Sequence, residues 1–114
     1  MRGVMRGVIV SRAMRGALVL AVVAATACGP IAYVNEVTRK AEAMLAPTAV
    51  FASNTSTLPI TGLAQASARP ANFIGLHFFS PAEKMPLVEI IRGKATSDEC
   101  LARAMDFVKK LRKT

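Results

Sequence analysis

Apolar and polar positions along this chain fall into blocks whose period switches between helical and strand-like. In NEVTRKAEAMLAP (residues 35–47), Val37, Ala41, Met44 and Leu45 share one face at helical spacing, and Pro47 closes the segment. TAVFAS (48–53) is a short apolar run suited to a buried parallel strand. NTST follows as a polar turn, in which Ser56 or Thr57 can cap a helix over PITGLAQASA with Pro59 in its first turn. ARPAN is a loop. FIGLHFF (73–79) and LVEIIRG (87–93) are strand-like, and the seven residues between them include Pro81 and Pro86. So short a link cannot make a parallel crossover, so the two strands are expected to be antiparallel neighbours. A last helix opens at Ser97, with Asp98 and Glu99 in its first turn and lysines and arginines at its end, as the helix dipole favours. Leu101, Ala104, Met105, Val108 and Leu111 form its apolar face. Another strand would be expected next.

Residues 1–34 read differently. Short basic repeats lead into ALVLAVVAATA (17–27), an apolar run of eleven. That is well short of the ~20 residues a membrane-spanning helix needs. A basic start, an apolar middle and small residues resemble a secretory signal, and ATAC (25–28) resembles a lipoprotein processing site. The same block also reads as an upstream stretch in the wrong frame. Leucine and alanine favour helix over 17–27, packed poorly on the rest. The strand at 48–53 is then left with an exposed edge, or borrows residues 31–34 as its partner. The expected organisation is a non-family segment 1–34 followed by an α/β domain over 35–114.

Composition narrows the function classes. The 114 residues allow one small domain, and 53 % hydrophobic against 19 % charged residues argues against disorder. The formal net charge is +8, but residues 1–34 carry four arginines and no acid, so half the excess lies there. No helix-turn-helix, zinc-finger or RNA-binding signature accompanies the charge, and one Tyr and no Trp offer few stacking platforms, so nucleic acid is not an expected partner. Some of the bases suit an anionic ligand such as a coenzyme A phosphate. Cys28 and Cys100 have no Cys or His neighbour at metal spacing, and no metal site is expected.

Three polar features stand out at strand ends: Asn54-Thr55-Ser56, His77 and Glu89. Open α/β sheets bind ligands beyond the carboxyl ends of their parallel strands. In an antiparallel hairpin, the twelve-residue offset brings His77 and Glu89 side by side. A neutral imidazole there can take a proton from an alcohol, while the carboxylate fixes its tautomer. A lone strand histidine is commonly a satisfied core residue, but Glu89 in its apolar strand is expected to be buried, and a buried carboxylate must be paired. A hydroxyl such as Ser56 can hold the substrate oxygen, and Asn54 can simply shape the turn.

SNTSTLPIT (53–61), followed by RPANFIGLHFFSPAEKMPLVEIIRG (69–93), resembles the 3-hydroxyacyl-CoA dehydrogenase family, and within it the dehydrogenase part of multifunctional fatty-acid oxidation α-subunits. The resemblance covers residues 35–114. It implies the second half of a Rossmann-type NAD-binding domain, a doubly wound α/β sheet ending in an antiparallel strand pair and a helix. It also implies His77 as catalytic base, Glu89 as its orienting partner, Ser56 as a hydroxyl contacting substrate and cofactor, and Ser80 as a cofactor contact. The implied reaction oxidises (3S)-3-hydroxyacyl-CoA to 3-oxoacyl-CoA with NAD, in cytoplasmic β-oxidation, by homo-oligomers or a multienzyme complex. The departures are a missing GxGxxG loop, a missing ribose-binding acid, and apolar GPIAYV where a strand with an acid near its end is expected before Asn35. The helical C-terminal domain of the family is also missing from these residues. The expected entity is therefore an enzyme fragment, inactive alone, or else an exported or anchored binding domain.

Overall fold

The fold is described from a computed structural model, for residues 8–10, 20–23, 31–54 and 58–114. Five strands form one mixed sheet in chain order: β1 (Val8–Val10), β2 (Leu20–Val23), β3 (Val50–Ser53), β4 (Phe73–Phe78) and β5 (Val88–Arg92). β2, β3 and β4 run parallel, while β1 and β5 are antiparallel to their neighbours. Helices α1 (Ile31–Ala43), α2 (Ile60–Leu63) and α3 (Asp98–Lys110) complete a partial Rossmann-type layer that ends in the strand pair and helix expected from the pattern.

Alternation along the strands splits the core into two layers. Val50 and Ala52 of β3, Ile74 and Leu76 of β4, and Val88 of β5 face α3, which packs on them through Cys100, Ala104 and Val108. Residues of opposite parity, Phe51 and Phe73, face α1 and α2 and pack with Val34, Ala41, Ile60, Leu63 and Ala64. The Phe51 and Phe73 rings stack with centroids 5.1 Å apart. Gly75 leaves room in this second layer for Ile60: a Cβ there would meet Ile60 Cδ1 at 2.7 Å. The same side chain lies against Gly93, where a Cβ would meet Ile60 Cγ2 at 3.3 Å.

α3 carries the caps its sequence promised. The Ser97 hydroxyl accepts from the Cys100 N–H (3.1 Å), and Arg112, at φ 57°, turns the chain after the last turn. The N–H groups of Arg112 and Lys113 return to the carbonyls of Lys109 and Val108, the pattern that ends a helix on a left-handed residue. α2 is shorter than expected. Pro59 precedes it as N-cap rather than sitting in the first turn, and after Leu63 the chain tightens into a 3-10 turn at Ala64–Ala66.

The apolar run 17–27 departs from expectation. Its segment Leu20–Val23 is a strand, not helix, and pairs along its length with β3 from Leu20↔Val50 to Val23↔Ser53. Residues 31–34 form the first turn of α1, so they are not the partner that β3 recruits. The reason is the edge itself: β3 is buried throughout, and a four-residue apolar segment can satisfy its hydrogen bonds where solvent cannot. Among the described residues no helix is long and apolar enough to cross a membrane.

Removing residues 1–30 would strip β2 from β3 and expose a fully buried strand as an edge. We expect that truncated chain to elute as aggregate in size-exclusion chromatography and to lose its cooperative thermal transition. A monomer with an unchanged midpoint would show that β2 contributes nothing.

Candidate active site

His77 stands next to last in β4, and β5 returns antiparallel so that His77 and Glu89 are direct register partners. Both share the parity of Gly75 and Ile91, so they lie on the sheet face that α1 and α2 cover. Ile60 of α2 fills the space over Gly75 and approaches Ile91, and His77 and Glu89 are the next pair on this face.

His77 Nδ1 lies 3.4 Å from Glu89 Oε2, at the long end of hydrogen-bonding distance. The imidazole is mostly enclosed, with 19 % of its side-chain surface exposed, and the Glu89 side chain keeps 52 %. The expectation that Glu89 is buried and must therefore be paired is overturned. Of its apolar neighbours in LVEII, Val88 and Ile90 face α3 and Leu87 is itself exposed. The pair instead results from register. Phe79 leans on the imidazole, with centroids 4.7 Å apart and planes at 51°. An Nδ1–H held by the carboxylate leaves Nε2 as the nitrogen able to accept a proton.

Asn54, just past β3, accepts a hydrogen bond from the Phe78 N–H at its Oδ1 (2.7 Å). It thus joins the ends of β3 and β4 beside His77. Ser80 is exposed just past β4. Ser56 lies outside the described residues. No group of three or more potential metal ligands occurs among the described residues.

The sequence reading missed several groups that hold this edge. Lys113 donates from Nζ to the carbonyls of Ala82 and Met85, both at 2.6 Å, and pins the link between the paired strands. Thr114 receives the Val88 N–H and donates to the Pro86 carbonyl. At the opposite end of the sheet, the buried Glu42 of α1 accepts from the Ser67 hydroxyl (2.6 Å) and the Ala68 N–H (2.7 Å). Arg69 donates to the carbonyls of Glu42 and Ala46, capping α1. These contacts span 23 to 31 residues and follow no short motif.

The family profile described as 3-hydroxyacyl-CoA dehydrogenase, NAD binding domain, matches residues 3–114. The chain belongs to that family. The match begins well before Asn35 and takes in both β1 and β2. Solved members with similar folds include (S)-3-hydroxybutyryl-CoA dehydrogenase PaaH1 from Ralstonia eutropha, at 37 % identity and a TM-score of 0.76 over 82 % of this chain and 32 % of that one. FadB2 from M. tuberculosis matches at 35 % identity and a TM-score of 0.73, over 82 % of this chain and 33 % of its own. The dehydrogenase part of multifunctional enzyme 1 from C. elegans matches at 29 % identity and a TM-score of 0.71, over 81 % and 21 %. The chain therefore spans about a third of the length of the first two.

Within this dehydrogenase-family fold, Cys100 belongs to the core. It is 1 % exposed, and burial pushes its thiol up to about 11. An unfolded chain releases that proton near ~8.5, so stability falls as pH rises from there towards the folded value. At pH 8 we expect iodoacetamide to leave Cys100 unmodified in the native protein and to label it within minutes in denaturant, read by peptide mass spectrometry. Rapid native labelling would contradict the burial.

Proposed function

We propose that this chain carries the proton-transfer half of an NAD-dependent 3-hydroxyacyl-CoA dehydrogenase, which oxidises (3S)-3-hydroxyacyl-CoA to 3-oxoacyl-CoA in fatty-acid β-oxidation. The observation that carries the reading is the approach of His77 Nδ1 to Glu89 Oε2 at 3.4 Å, between direct register partners near the end of β4. The family match supports the nicotinamide cofactor, and the relatives that act on 3-hydroxybutyryl-CoA support the substrate class.

His77 takes the hydroxyl proton of the substrate at Nε2. Glu89 accepts the Nδ1–H, holds the tautomer and stabilises the imidazolium that forms. The Ser56 hydroxyl holds the substrate oxygen and contacts the cofactor. Ser80, exposed beyond β4, would be a further contact for the cofactor. NAD, when bound, supplies the acceptor for the C3 hydride. The dyad lies beside the carboxyl end of a parallel strand, and an open α/β sheet takes a dinucleotide at such an end. The residues at this edge thus fit the reactive end of the cofactor. A cytoplasmic location and assembly into homo-oligomers or a multienzyme complex complete the reading.

The test is a hybrid in which residues 20–114 replace the corresponding stretch of the Ralstonia eutropha enzyme. It should reduce NAD with (S)-3-hydroxybutyryl-CoA. His77→Ala in that hybrid should lower kcat by about 10²–10⁴-fold, the usual worth of a general base. Glu89→Gln should lower it less, because the ring remains present. An active hybrid indifferent to His77→Ala would refute the assignment.

A further inference from the structure

β4 is paired on both sides, and its alternating N–H and C=O groups point in turn to β3 and to β5. The Phe78 N–H reaches Asn54 on the β3 side, so Ile74 and Leu76, which share its parity, also turn their backbone groups to β3. His77 has the other parity and turns its backbone groups to Glu89. Among the described residues the parallel ladder has its last register pair at Ser53↔Gly75, and the Phe78 N–H lies three residues beyond it. There the amide oxygen of Asn54 holds the strand on the β3 side, next to the residue that bears the imidazole. At 2.7 Å its bond to Phe78 is far shorter than the 3.4 Å between His77 and Glu89.

We infer that Asn54 is a positioning residue for the dyad. Its side chain holds the last residue of β4 to the β3 side, so that the imidazole of His77 stays in register with Glu89. This goes beyond shaping the turn after β3 and rests on the dyad reading above. Phe79 extends the dependence. Its ring leans on the imidazole, and its backbone follows directly from the tethered Phe78. Loosening Phe78 therefore frees the imidazole and its aromatic neighbour together. Asn54 acts through the backbone and does not touch the reacting atoms.

The chain contains a single histidine, so the 15N spectrum of its imidazole reports on His77 alone. In the native protein, at a pH where the ring is neutral, the spectrum should show mainly the Nδ1–H tautomer. Glu89→Ala should shift the ring towards Nε2–H, and Asn54→Ala should do the same with Glu89 in place. Amide exchange at Phe78 should accelerate about tenfold in Asn54→Ala, the worth of roughly one net hydrogen bond. Asn54→Asp keeps an acceptor oxygen of the same reach and adds charge. It should retain the native tautomer and slow exchange at Phe78, and it carries the test if Asn54→Ala does not fold. Faster Phe78 exchange in Asn54→Asp, or loss of its native tautomer, would overturn the inference. So would faster Phe78 exchange in Asn54→Ala with the tautomer unmoved, since Asn54 would then serve the turn only. A tautomer insensitive to Glu89→Ala would bring down the dyad reading itself, and the positioning role with it.

Discussion

β4 is the strand on which the rest depends, because it pairs in opposite senses with its two neighbours. A parallel partner on one side commits half of its backbone groups, and an antiparallel partner on the other commits the remainder. The parallel side ties the strand to the layered α/β core. The antiparallel side brings a second segment back over it in reverse, so residues far apart in the chain become direct neighbours. His77 and Glu89 meet by that geometry alone, with no motif linking them in sequence. A one-residue slip of β5 would send Glu89 to the α3 face and break the pair.

The two ends of the sheet treat polar groups differently. At the end where the parallel strands begin, Glu42, Ser67, Ala68 and Arg69 satisfy one another and close α1 against the following turns. Every oxygen of the buried carboxylate has a donor, which is what a charge removed from water requires. At the end where they finish, His77 and Glu89 touch at a longer distance and keep contact with solvent. One end is closed by mutually satisfied groups, and the other holds a looser pair that stays partly open to solvent.

Legibility followed the range of the interactions. The hairpin was readable because two strand-like runs flank a link too short for a crossover. The cap of α3 was readable because Ser97 and Cys100 are three residues apart. β2 was not readable. Leu20–Val23 sits in a run rich in alanine and leucine, and only the exposed edge of β3, a tertiary demand, turns it into a strand. The exposure of Glu89 was misjudged for a similar reason, since the burial of each residue in LVEII depends on which sheet face it takes and what packs there. The tether from Asn54 to Phe78 and the clamp of Lys113 on residues 82 and 85 use side chains whose local sequence suggests only a turn and a helix end.

Ile60 is keyed into two backbone gaps at once, Gly75 in the centre of the sheet and Gly93 at the end of β5. Filling either gap forces the isoleucine to move, and moving it disturbs the other. The three positions are therefore coupled through one side chain, so that a larger residue at either glycine is better accommodated beside a smaller residue at position 60.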